Sequence, residues 1–309
     1  MDVTAATADN VAGRVLVGTS AWSDHEEFYP PGLPAADRLA FYAGIFPVVE
    51  VNTTYYRVPN RRMVEGWVER TPPGFVFDVK PPRELTATPE QPRGEAPEPD
   101  ADVAAAFAEA IAPLAEAGKL GAVTFQFPPS WRNTEEHRDY LRLLPELFPD
   151  YPLAVEFRRR DWLDDEHAAG TLDLLRDAGL GYTMADEPQV GSGSVPPVYG
   201  VTNRNLAIVR FHGRNAAKWY AFGGTSRDRF DWDYTPAELE EWTPRIEQAR
   251  AEADDVHVFF NTNNGGQGPR NAALLLDLLG MAYPRWDDDR ADRWAQGSLG
   301  LDAGTDAPA

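Results

Sequence analysis

Residues able to move protons or hold anions recur in this chain at the ends of short β-type runs. In "VVEVN", Glu50 and Asn52 interrupt an apolar stretch, and in "FVFDVK" Asp78 and Lys80 do the same. "AVTFQF" carries Thr124 and Gln126, and "LAVEFR" ends in Glu156 and Arg158. "GYTMAD" ends in Asp186, "AIVRFHG" carries Arg210 and His212, and "VHVFFN" ends in Asn261. Strand side chains alternate between faces, so a polar pair two residues apart shares one face and the apolar residues take the other. A lone buried carboxylate is costly. Strands that bring such groups together would supply each with partners. Four acids (Glu50, Asp78, Glu156, Asp186) among three bases (Lys80, Arg158, Arg210) make a site where pKa values shift and acid–base catalysis becomes possible.

Three chemistries fit this set. The first is a metal-independent acid–base enzyme with Glu50 and Glu156 as the proton-transfer pair and Lys80 and His212 beside them. Lys80 or Arg210 would hold an anionic group, and Trp22 and Tyr56 would stack on a sugar or ring. Asn52, Arg57, Gln126, Arg158, Asp186 and Asn261 would complete the binding of a small hydroxylated or phosphorylated molecule. Glycoside hydrolysis is one version, with its outcome set by the separation of the two carboxylates. The second is a metal-assisted isomerase or hydrolase in which Glu50, Glu156, Asp186 and His212 form an oxygen-rich divalent site. No HxH or HExxH spacing supports it, and the neighbouring bases oppose a cation. The third is a metabolite-binding module without catalysis.

The elements that must position these residues are legible as a pattern. The β-type runs fall at 14–20, 48–52, 75–80, 122–127, 153–158, 181–186, 207–213 and 256–261. Helical periodicity lies between them at 35–46, 61–70, 102–117, 134–148, 166–178, 236–253 and 271–280. The segment 187–205 after the sixth run shows no helix. Alternating strands and helices predict a single (β/α)8 TIM-type barrel with eight parallel strands, an irregular segment replacing the helix after strand six. In such a barrel the polar ends of the strands meet at the C-terminal mouth, where barrel enzymes keep their active sites. No GxGxxG follows the first strand, where "GTSAWS" stands, so a dinucleotide-binding sheet is disfavoured and no cofactor is expected. The barrel is expected over 14–285, with a flexible segment 1–13 and an acidic, partly disordered tail 286–309. The Pro-rich stretch 81–100 reads as a loop by its composition.

Composition bounds the rest. The 309 residues, 43% hydrophobic, can build one large α/β domain. No run of eighteen apolar residues suggests a membrane span, and the first residues lack the pattern of a secretory signal. The chain has no Cys, which excludes disulfides, thiolate metal sites and Cys nucleophiles, and a cytoplasmic location is the expectation. The net charge of −20 argues against nucleic-acid partners. Only three lysines (Lys80, Lys119, Lys218) stand among 29 basic residues. That acidic, Lys-poor balance suits molar salt, or an ordinary acidic protein rich in arginine. The oligomeric state is not readable.

Several stretches carry a resemblance. "GTSAW" with "FYP" (18–22, 28–30), "VEVNTTYYRVP" (49–59) and "KLGAVTFQFPP" (119–129) are three of them. "AVEFRRRDW" (154–162), "VRFHG" (209–213) and "VFFNTNNGG" (258–266) are three more. In order and spacing they resemble the domain of unknown function 72 family, also called YecE-like. The resemblance implies a TIM-barrel-like fold and assigns no activity. The chain departs from the family pattern at Ala87, where a His usually follows the Thr, at Ser23, where an aromatic is usual, and at Arg159, where His is common.

Overall fold

A computed structural model of the chain describes residues 12–86, 100–220 and 225–285. The expectations for the N-terminal segment up to 11, for positions 87–99 of the 81–100 loop and for the tail from 286 lie outside these described residues. Eight parallel strands close into a barrel, each paired with the next and β8 paired back onto β1. They are β1 (Arg14–Ser20), β2 (Val48–Val51), β3 (Val76–Val79) and β4 (Leu120–Gln126). β5 (Leu153–Glu156), β6 (Gly181–Asp186), β7 (Leu206–Phe211) and β8 (Asp255–Phe260) complete the ring.

The helices follow the amphipathic periods, with two instructive differences. α1 (Arg38–Ala43), α2 (Arg61–Glu69), α3 (Ala101–Glu116), α4 (Glu135–Leu147) and α5 (Ala168–Asp177) lie within the expected ranges or one residue outside them. Asn60, Asp100 and Thr134 cap α2, α3 and α4 by accepting the backbone N–H three residues on. After a short α6 (Ser226–Arg229), the helix expected over 236–253 is broken into α7 (Pro236–Glu240) and α8 (Thr243–Glu252). Pro244 explains the break, because it has no N–H to continue the ladder and its ring would clash with the carbonyl four residues back. α9 (Gln267–Leu278) starts four residues earlier than its periodicity suggests. Pro269 falls in its first turn, where the missing N–H has no partner to lose. No helix lies between β6 and β7 in the stretch 187–205, as expected. No described helix is long and apolar enough to cross a membrane.

Burial follows the alternation. Val49, Val51, Phe77, Val79, Phe125, Phe127, Val155, Phe157, Val209 and Phe211 face outward and pack in the main core with the helices. Inside the barrel, Leu16, Val48, Val76, Ala122, Ala154, Leu206 and Ile208 form a separate apolar plug towards the N-terminal end, with Phe259 joining it from the level of Arg210. Further along most of these strands the same inner face turns polar. Val76 is followed by Asp78 and Lys80, Ala154 by Glu156 and Arg158, and Ile208 by Arg210 and His212. The plug seals one end, so the polar layers open only at the C-terminal mouth.

One irregularity tunes this packing. The β3–β4 register shifts between Phe77 and Asp78, and Gly121 is the residue skipped. A Cβ there would lie 2.2 Å from Asp78 Oδ1 and 2.7 Å from His257 Cε1. Asp78 and His257 form a fully buried pair at 3.0 Å, and burial raises the Asp78 carboxyl while His257 opposes the rise. Gly121→Ala is expected to cost about 2 kcal/mol by overpacking this pair. Urea unfolding checks it, and an unchanged midpoint would show that the pair has room to move.

Candidate active site

The mouth of the barrel holds a cavity of about 430 Å³, lined by residues from the ends of β1 to β5, β7 and β8. Its size suits a small molecule. Lys80, Arg158 and Arg210 reach it, together with the amides of Asn52, Gln126 and Asn261. Tyr55, Tyr56 and Phe230 supply ring surface, and Arg229 stands on the rim. Tyr56 is 77% exposed, so it can stack on a ligand without being unpacked. The buried Oδ1 atoms of Asn52 and Asn263 accept no hydrogen bond among the described residues. Both residues line the cavity, so a ligand hydroxyl would satisfy them.

Beneath the floor lies a chain of buried ion pairs. Arg210 donates from Nη2 to Glu50 Oε2 at 2.6 Å and from Nη1 to Glu156 Oε2 at 2.8 Å. His212 Nε2 lies 2.9 Å from Glu156 Oε1, and Asn261 Nδ2 lies 3.1 Å from His212 Nδ1. A neutral imidazole satisfies both contacts, donating from Nε2 and accepting the amide at Nδ1. Burial, with Arg158 adding to it, holds His212 well below its usual range. Burial alone would raise the Glu156 carboxyl, but Arg210, His212 and Arg158 together hold it well below the usual carboxylate range.

Lys80 is the ionisable group at the floor whose proton is loosely held. Nζ donates to Gln126 Oε1 at 2.6 Å, and Arg210 Nη1 donates to the same oxygen at 3.2 Å. Its nearest carboxylate contact is Glu50 Oε2 at 3.9 Å, already taken by Arg210. Burial lowers its pKa to about 8, with Arg210 contributing and Glu50 opposing.

The structure brings most of the expected residues together and sends three elsewhere. Lys80, Asn52, Tyr56, Gln126, Arg158, Arg210 and Asn261 line the cavity. Glu50, Glu156 and His212 join the same network but lie sealed below it, at 1%, 0% and 0% exposure. Asp186 belongs to the other face. It shares the outward parity of Tyr182 and Met184 and accepts from Tyr234, Trp242 and Arg214, which tie it to α7 and α8. Trp22 turns outward onto Trp67, the two rings meeting edge to face at 5.8 Å. Ala21, with a left-handed φ of 63°, swings the chain out there and itself lines the cavity. Arg57 is exposed and does not line the cavity.

The sequence reading missed Glu187. It follows Asp186 and takes the inward place, with Oε2 3.1 Å from Arg158 Nη2 and Oε1 accepting the Val195 N–H at 2.6 Å. Burial pushes its carboxyl up to about 7 against the pull of Arg158. Alternation carried on from Tyr182 and Met184 would have found it. Arg158 is further held over the ring of Trp219 at 5.1 Å. The metal set of Glu50, Glu156, Asp186 and His212 is not assembled, because Asp186 faces the helices and Arg210 fills the space between the two glutamates. Among the described residues no three His, Asp or Glu side chains converge as a metal site.

The family model described as "Protein of unknown function DUF72" matches residues 16–296. The chain belongs to this family. UPF0759 protein YunF of Bacillus subtilis (strain 168) is 35% identical over 273 residues, 87% of this chain and 96% of its own. A crystal structure of a DUF72 family protein from Enterococcus faecalis V583 matches with a TM-score of 0.79 at 30% identity. That match covers 89% of this chain and all of the other. Another, from Thermotoga maritima MSB8, matches with a TM-score of 0.74 at 32% identity, over 86% of this chain and 99% of that one. The DUF72 relationship accounts for the barrel.

Proposed function

We propose that this DUF72 protein is an acid–base enzyme, working without a metal, on a small hydroxylated molecule that carries a phosphate or carboxylate. The observation that carries the reading is the arrangement of the floor: Lys80 and Arg158 open on the cavity, Arg210 lines it from beneath, and the neutralising carboxylates Glu50 and Glu156 lie behind them. At the floor a ligand therefore meets cations and amides, with Asp24 the one acid among the described residues lining the cavity, a balance that favours an anion and opposes a divalent cation. Lys80 is the proton-transfer group, since its pKa near 8 lets it hold or release a proton close to neutrality. Glu50 and Glu156 take a supporting role rather than the expected one. Both are bound to Arg210, and neither reaches the cavity. For the same reason glycoside hydrolysis loses the two carboxylates that should flank the bond.

The test is a calorimetric and NMR screen of sugar phosphates and hydroxy acids, each paired with its uncharged analogue. Anionic members are expected to bind, and one of them to be converted. Lys80→Met is expected to remove turnover while Arg158 and Arg210 retain binding within roughly ten-fold. Binding of the uncharged analogues alone would sink the reading. Tight anion binding with no conversion of any ligand would instead support a metabolite-binding module.

A further inference from the structure

The three lysines of the chain sit in unlike surroundings. Lys119 Nζ is used up by the carbonyls of Val68 and Thr71 and the Thr71 hydroxyl, at 2.7 to 2.9 Å. Lys218 lies near the surface acids Asp228 and Asp231. Lys80 alone has its nitrogen on the cavity floor, hydrogen-bonded to a neutral amide, with the arginines Arg158, Arg210 and Arg229 also lining that cavity. An amine becomes a nucleophile only when unprotonated, and neighbouring cations with burial are what free it.

We infer that Lys80 is a covalent nucleophile, forming a Schiff base with an aldehyde or ketone that also bears a carboxylate or phosphate. This rests on the reading of the cavity as a substrate site given above. The Nζ lone pair attacks the carbonyl carbon and forms the C–N bond as the C=O π pair moves to oxygen. That oxygen takes the proton from the new C–NH2+ group to give a neutral carbinolamine, a solvent proton on the hydroxyl lets it leave as water, and the nitrogen lone pair closes the C=N bond of a protonated imine. No electrons are gained or lost overall. Gln126 Oε1 is 2.6 Å from Nζ and placed to accept the N–H as the bond forms. Arg158, with Arg229 on the rim, supplies the positive field for the anionic end. The groups that set the protonation of Lys80 are Arg210 and Arg158, which favour the free amine, and Glu50 and Glu156, which oppose it.

With a pKa near 8, Lys80 carries free amine at pH 7.5 on the order of a hundred-fold more than an ordinary lysine. The experiment incubates the full chain with pyruvate or dihydroxyacetone phosphate and sodium cyanoborohydride, followed by peptide mapping. The imine is trapped by hydride as a stable secondary amine. Lys80 is expected to be labelled at least about ten-fold faster than Lys119 or Lys218. Its labelling should rise through pH 8, and lactate or glycerol 3-phosphate should suppress it. Lys80→Arg should lose the adduct, and the wild-type peptide map decides the question even if that variant folds poorly. Even labelling of all three lysines overturns the proposal. So does an absence of label at Lys80, and acetic anhydride then separates the two readings. If lactate or glycerol 3-phosphate shields Lys80 from acetylation, the covalent step fails and the anion site stands. If neither shields it, both fail.

Discussion

Arg210→Met will destabilise the protein by about 3–5 kcal/mol at pH 7.5, measured by urea unfolding. Arg210 is one cation shared by two carboxylates, and all three side chains are buried at 1% exposure or less. Removing it leaves Glu50 with Lys80 at 3.9 Å, and Glu156 with His212 at 2.9 Å and Arg158 at 3.4 Å, as their remaining partners in the barrel interior. The penalty is that of uncompensated buried charge rather than of lost packing. Two controls separate these. Adding Glu50→Gln and Glu156→Gln to Arg210→Met should recover most of the loss, because the charges go with their partner. Lowering the pH should also narrow the gap. The depressed Glu156 pKa gives wild type a stability that is present above the unfolded pKa of about 4.3 and is lost as pH falls through the lower folded value. The variant lacks that contribution, so its deficit shrinks in acid. A cost below about 1 kcal/mol, or one unchanged in the triple variant, would mean the network is not held by charge.

The alternation that places Arg210 between these glutamates was legible in the sequence, and so was the barrel. Period-two patterning needs only local residue types, and each strand carries its apolar and polar faces on alternate residues. What the sequence could not express was depth. Glu50 and Lys80 both belong to the inner face, yet they lie one layer apart, and only Lys80 meets the cavity. Depth depends on strand stagger, which no single strand encodes. Trp22 failed for a different reason. The left-handed turn at Ala21 rotates the chain as it leaves β1, and nothing in "GTSAWS" announces a positive φ at an alanine. Asp186 and Glu187 were separable by parity alone. The attraction of a terminal acid hid a rule that the strand itself obeyed.

Glu187 will make stability fall as pH rises through neutrality, and Glu187→Gln will abolish that fall. The carboxyl is buried, and burial together with Glu156 and Asp186 raises its pKa to about 7, outweighing Arg158 and the Val195 N–H. A raised folded pKa gives a stability that is fully present below the unfolded value and lost as pH rises through the folded one. The window therefore runs from about pH 5 to pH 8, and the size is about 3 kcal/mol for a shift from the ordinary value near 4.3. Gln keeps an acceptor for Val195 and never ionises. His25 and His212 act in the opposite sense, since burial holds both below their usual range, but they are common to both proteins. The difference between the two pH–stability curves thus isolates Glu187. Parallel curves from pH 5 to 8 would sink the prediction and leave Arg158 and Glu187 as a fixed ion pair. A curve that diverges has a consequence for the mouth of the barrel. Each proton taken up by Glu187 removes a negative charge 3.1 Å from Arg158, so an anionic ligand on Arg158 should bind more tightly as pH falls through 7. By linkage, binding of that ligand should draw a proton onto Glu187.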